Sequence, residues 1–162
     1  MLMQRWLLIF LVAYVTGCAS APVQTLRFHE QVTGNLPSSH TRPVQVASTG
    51  QRLVINPEPT LTERDVLAAK LEPTTAGDAI RLKFDSQGAN RLAEMTTRLR
   101  GQSIVVFAND RPIAVLLVEH ANASGELQLL GDLTDEQTKS LVESLNKTAH
   151  RRPDPGDAKP EP

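Results

Sequence analysis

The sequence contains a single cysteine, Cys18. A lone thiol forms no intrachain disulfide, and it excludes zinc sites assembled from several cysteines. Aromatic residues are also scarce, at 4%. Trp6, Phe10 and Tyr14 fall near the start, which leaves Phe28, Phe84 and Phe107 for the rest of the chain. Three phenylalanines without Trp or Tyr make a poor platform for stacking sugars or single-stranded bases. Neither sign of charge dominates: 17 basic residues face 18 acidic ones, for a formal net charge of −1. The basic residues are scattered, so no nucleic-acid partner is expected. The histidines, His29, His40, His120 and His150, share no ligand-like spacing. No glycine-rich loop offers a phosphate cradle. The sequence therefore predicts no cofactor, no metal and no enzyme activity.

What is present begins at the N-terminus. Met1 to Arg5 carries one basic residue, and Trp6 to Val15 is an apolar run of ten residues. As a helix that run spans roughly 15 Å, against about 30 Å of membrane hydrocarbon. It is too short for a stable span and has the length of a signal-peptide core. It ends at Val15-Thr16-Gly17-Cys18, which resembles the lipobox of bacterial lipoprotein signals. The resemblance implies a signal peptide over residues 1–17, with Val15, Thr16 and Gly17 read by the signal peptidase. Cys18 would be the acylated mature N-terminus. Each buried CH₂ of an acyl chain contributes about 0.8 kcal/mol, and two or more chains give stable anchoring. The alternative is an ordinary signal cleaved after Ala19-Ser20-Ala21. Ala19, where an aspartate would resemble an inner-membrane retention signal, favours the outer membrane.

Residues 18–22 comprise the lipidated cysteine and a short tether, Ala19 to Pro22, reaching roughly 14 Å at about 3.4 Å per residue. Residues 23–57 read as strands. Leu26, Phe28 and Val32 have period two, and Val44, Val46, Leu53 and Ile55 flank a turn at Thr49-Gly50. Thr62-Glu63-Arg64-Asp65 predicts a short helix with an N-cap and acids in its first turn. Ala69–Glu72 and Ala79–Phe84 predict strands about a turn at Gly77-Asp78. Asp85 caps a helix to about Arg100, whose Ala89, Leu92, Ala93, Thr96 and Leu99 share one face. Gly101 stops it. Ile104–Phe107 and Ile113–Val118 predict apolar strands joined by Asn109-Asp110. Leu127–Leu130 predicts another strand. Thr134 to Gln137 matches a capping box opening a last helix, which buries Thr138, Leu141, Val142 and Leu145. From Thr148 the chain is charged and proline-rich, and residues 148–162 are expected to be disordered. The fold class is α+β, a mainly antiparallel sheet with two helices on one face.

The stretch from Leu61 to Asn146 resembles the head subdomain of the first large periplasmic domain of SecD, the protein-translocase accessory subunit. Leu61-Thr62-Glu63-Arg64-Asp65-Val66 is similar to that family's opening "LTxxDV". Phe84-Asp85-Ser86-Gln87-Gly88-Ala89 resembles its strand followed by a Gly-Ala helix start. Thr96 lies five residues before Gly101, as in the family. Gly131-Asp132-Leu133-Thr134 and a helix ending at Asn146 resemble its close. Asp65, Phe84, Gly88, Ala89, Thr96, Gly101, Gly131, Thr134 and Asn146 are thus family-matching structural positions, and residues 58–147 the head-like unit. The chain departs at Asn109-Asp110, where the family usually has Asp-Gly, and at Ala114-Val115-Leu116, where it commonly has Ser-Ala-Pro. The resemblance implies contact with an unfolded polypeptide or another envelope protein, in export or envelope biogenesis. It does not imply SecD's proton-coupled motor, which needs a membrane bundle. Strand addition at an edge within Val23–Ile55 is one way to make such contact. A structural lipoprotein that scaffolds a membrane complex is the alternative.

Other motifs have plainer explanations. Glu119 and His120 adjoin and point to opposite faces of a strand. Ser38-Ser39-His40 has no partnered acid. Asp132, Asp135 and Glu136 sit at a helix start, where acids cap, and they lack a calcium-loop pattern. Asn122-Ala123-Ser124 matches a glycosylation sequon. Arg98 and Arg100 read as a solvated helix end.

Overall fold

The computed structural model of the chain describes residues 25–34, 37 and 40–151. Residues 1–24 lie outside that range, and with them Val15, Thr16, Gly17, Cys18 and the tether. So do Ser38, Ser39 and residues 152–162.

The described elements are β1 (Leu26–Glu30), β2 (Arg42–Gln45), β3 (Arg52–Ile55), β4 (Leu61–Thr62), β5 (Val66–Thr74), β6 (Gly77–Phe84), α1 (Ser86–Arg98), β7 (Ser103–Ala108), β8 (Arg111–Leu117), β9 (Glu126–Leu129) and α2 (Asp135–His150). Every strand pairing is antiparallel, as expected of the α+β class. The strands divide among three sheets, ordered β4-β1-β7-β8, β2-β3 and β5-β6-β9.

Alternation explains how the first sheet is filled. In β1, Leu26 and Phe28 enter the main core, while Arg27 and His29 face the other way. β7 is apolar from Ile104 to Ala108 because both of its faces are covered there. Ile104 and Val106 join the main core; Val105 and Phe107 pack on Val46 and Ile55 beneath the β2–β3 hairpin. The main core also takes Ile80, Leu82 and Phe84 of β6, Leu92 and Met95 of α1, and Leu141 and Leu145 of α2. Full burial of each such side chain contributes about 1.5–3 kcal/mol. Phe28 and Phe84 meet edge to face, with ring centroids 5.8 Å apart.

Several expected boundaries are corrected. The segment after Thr62 forms a single 3-10 turn, Glu63–Asp65, before the chain enters β5. The β5–β6 turn is Thr75-Ala76 rather than Gly77-Asp78, since Thr74 already pairs with Gly77. Gly77 has φ +122, a value that only glycine adopts readily. α2 continues through Thr148 to His150, so the expected tail cannot begin at Thr148. Within this last turn Thr148 Oγ1 donates to Ser144 O at 3.0 Å. The hairpin turn at Asn109-Asp110 forms without glycine: both residues take positive φ, 46 and 65, as a two-residue primed turn requires. Asn109 Oδ1 accepts from Thr25 N at 3.1 Å, which helps hold it there. Among the described residues no helix is long and apolar enough to cross a membrane.

Candidate functional site

β5 is an edge strand, and its polar pattern follows from what covers it. Val66 and Ala69 enter the core, whereas Leu67 and Leu71 remain 49% and 37% exposed. The two leucines line a groove of about 550 Å³ together with Lys70, Glu72, Arg81 and Lys83. Glu126 of β9 closes its far side. Leu71 pairs with Ile80 and so lies on the core face at the sheet edge, whereas Lys70, Arg81 and Lys83 line the groove from the opposite face.

The charges in the groove are not equally engaged. Arg81 grips Glu72 with two N–H groups, Nε to Oε2 at 3.1 Å and an NH2 nitrogen to Oε1 at 2.5 Å. Gln128 Nε2 also donates to Glu72 Oε2, at 3.2 Å. Arg81 lies 3.8 Å from Glu126 as well. The hydrogen bond from Arg81 to Glu72, and then the charge of Glu72, raise the Arg81 pKa further above its ordinary range. Lys70 and Lys83 form no ion pair among the described residues.

Backbone direction matters as much as side chains. Ala69 N donates to Asn146 Oδ1 at 2.9 Å, and Asn146 Nδ2 donates back to Ala69 O at 2.9 Å. The Ala69 peptide groups thus point away from β6, and the Asn146 amide caps them as a neighbouring strand would. Leu71, two residues on, has the same orientation. Its N–H and C=O face the open edge beside the groove. Pro73 shares that orientation and has no N–H, so it ends the donor row.

The other edges are more guarded. β1, expected to lie in an open N-terminal region, is interior, between β4 and β7. The outer edge of β2 carries Pro43, which blunts it. Ile113 O of β8 accepts from Asp132 N at 2.8 Å. Glu126 of β9 is held by Asn122 Nδ2 and Ser124 Oγ, at 2.7 and 3.1 Å.

The family-matching residues lie elsewhere and brace the fold. Asp65 accepts from Thr62 N at 2.7 Å and pairs with Arg91. Gly88 packs so closely on this turn that a Cβ would meet Asp65 Cβ at 2.9 Å. A Cβ on Gly125 would meet Ala89 Cβ at 2.8 Å, so the β9 approach needs both residues small. Thr96 Oγ1 donates to Leu92 O and accepts from Asn122 N, at 2.7 and 2.8 Å. Gly101, at φ +77, lets its N–H reach Val118 O at 2.8 Å. Gly131 lies against Ile113, whose Cδ1 would be 3.1 Å from an added Cβ. Thr134 and Gln137 form the capping box of α2. Phe84 meets Phe28, and Asn146 caps β5. Of this set, only Asn146 bears on the candidate site.

The remaining motifs stay apart. Glu119 and His120 are both exposed beyond the end of β8. Among the described residues no cluster of His, Cys, Asp or Glu has the arrangement of a metal site. Asp135 and Glu136 sit in the first turn of α2, and Asp132 Oδ2 lies 3.7 Å from Arg111. The side chain of Asn122 is committed to its own turn, with Oδ1 accepting from Ser124 N at 3.1 Å. Arg98 is exposed at the end of α1, as expected, and also reaches Glu30 at 2.6 Å, tying α1 to β1. The sequence pointed to the strand holding Lys70 and Leu71 but gave no sign of the groove. An exposed edge leucine and a buried one look alike until the covering elements are placed.

The architecture defines a small α+β domain with a main core, a second apolar cluster beneath the β2–β3 hairpin, and a groove at a sheet edge. The chain belongs to the family described as SecDF, P1 head subdomain, which matches residues 39–149. No curated protein matches it. Two of the solved structures it matches illustrate the shared fold. One, described as "Structure and function of a membrane component SecDF that enhances protein export", has a TM-score of 0.59 at 18% identity, covering 77% of this chain and 63% of its own. The other, "Crystal structure of SecDF in Super-membrane-facing form", has a TM-score of 0.58 at 16% identity, covering 76% of this chain and 18% of its own. The chain thus spans less than two thirds of either structure.

Proposed function

We propose that this chain is a lipid-anchored, periplasm-facing binding module that holds an extended stretch of another polypeptide and serves protein export at the cell envelope. The observation that carries the reading is the β5 edge: the outward Leu71 peptide groups lie beside a groove lined by Leu67 and Leu71. A strand added there gains main-chain hydrogen bonds, and its side chains gain a place to pack. Membership of the head family supports a role in export, and one similar structure is described as enhancing it. The Val15-Thr16-Gly17-Cys18 motif supports the lipid anchor.

The test is site-specific photocrosslinking in cells from Leu67 and Leu71, with Pro43 as a control on the blunted β2 edge. The expected result is a heterogeneous ladder of partners from Leu67 and Leu71 and little from Pro43. One discrete stoichiometric band would instead identify a scaffold for a membrane complex. Equal products from all three positions would remove the β5 site.

A further inference from the structure

We infer that the β5 groove selects extended segments in which acidic and apolar residues alternate. This rests on the strand-addition reading above and adds a chemical class of partner to it. The register follows from the edge. A residue bonded to the outward N–H and C=O of Leu71 places its side chain on the same face as Leu71. Leu71 pairs with Ile80 on the core side of the sheet, so an apolar guest side chain fits there. The guest's next residue toward Ala69 turns to the opposite face, which carries Lys70, Arg81 and Lys83.

That opposite face is short of negative charge. Three cations line the groove, Lys70, Arg81 and Lys83, against two carboxylates, Glu72 and Glu126. Arg81 engages both carboxylates, and Gln128 takes a further Glu72 lone pair. The two lysine ammoniums are left without an ion-pair partner among the described residues. An acidic guest residue beside Lys70 supplies the missing charge, and a basic one meets like charge. Asn146 occupies the edge at Ala69, and Pro73 ends it on the other side. The guest is therefore short and its register fixed. An anionic lipid would match the lysines but has no use for the Leu71 peptide groups.

The experiment uses the purified full chain in detergent and two fluorescent peptides, one alternating Glu and Leu, the other alternating Lys and Leu. Anisotropy should show the Glu-Leu peptide binding about fivefold more tightly, the size of one exposed charge pair. Lys70→Glu, a change at an exposed position, should reverse that preference. Leu71→Pro should weaken both peptides about tenfold by deleting the outward donor. The strand already accepts Pro73 in the same orientation, and a thermal melt checks that the variant folds. Suppose both peptides bind equally and Lys70→Glu changes nothing, while Leu71→Pro still weakens binding about tenfold. The charge selection is then overturned and strand addition survives. Unchanged binding by a folded Leu71→Pro overturns strand addition itself. Lys70-dependent binding to anionic phospholipid vesicles, with no binding of either peptide, overturns both.

Discussion

Thr96 holds two elements together with one hydroxyl. It donates within α1 to Leu92 O and accepts from Asn122 N, and it is buried. Valine has nearly the same shape but strands the Asn122 N–H without an acceptor. Thr96→Val should cost about 1–3 kcal/mol, measured by urea unfolding, while Thr96→Ser should recover most of it. Gly88 makes the complementary point about space. An added methyl would sit 2.9 Å from Asp65 Cβ and 3.0 Å from Asp65 O. The backbone oxygen cannot swing away as a side chain would. Gly88→Ala should destabilise by about 1–3 kcal/mol through overpacking, although alanine is the better helix former. In both cases the residue type was visible in the sequence as part of a pattern. The contact that explains it joins residues far apart in the chain.

At the scale of elements, the β2–β3 hairpin covers the second face of the first sheet and closes over His29. The His29 ring lies edge to face with Phe107, centroids 4.9 Å apart, and Nδ1 donates to Asn56 O at 2.9 Å. Burial is the main cause that lowers its pKa below the ordinary 6.5, and the nearby Arg42 and Arg27 add to it. The Asn56 hydrogen bond and Asp110 act the other way without prevailing. The folded state therefore binds protons less readily than the unfolded chain. Stability is fully present above 6.5 and falls as pH drops below it. Unfolding curves at about pH 7.5 and about pH 5.5 should differ in that direction, and His29→Gln should flatten the difference. α2 plays a different part, because Asn146 stands in for a missing strand beside β5. Asn146→Ala would uncover the Ala69 peptide groups and lengthen the open edge. Concentration-dependent self-association in sedimentation is the expected outcome.

At the scale of the whole molecule, the proposed anchor and the groove would make one device. A domain held by acyl chains on Cys18 would present its open edge close to a membrane surface. Cys18→Ser should appear in the soluble fraction or accumulate as uncleaved precursor, read by membrane fractionation and intact mass. A variant that still matures and sediments with membranes would remove the anchor from the account.

The short-range rules determined a good deal here. Period-two alternation placed β1, a turn signal placed β5 and β6, the 3.6-residue pattern placed α1, and the Thr134 box placed the start of α2. The apolar runs Ile104–Phe107 and Ile113–Val118 announced two strands, but it is β7 that lies inside the sheet and β8 that forms its edge. These features follow from neighbours within a few residues, which is what a linear pattern records. Tertiary structure decided the rest. Whether Leu71 is core or surface depends on where α2 stops covering β5. Whether Ala69 or Leu71 offers its peptide groups depends on Asn146, 77 residues further along the chain. Which edge is open depends on Pro43, Asp132 and the Asn122 turn reaching the others first. Sheet edges are completed by distant parts of the chain, so the candidate site became legible only when the chain closed on itself.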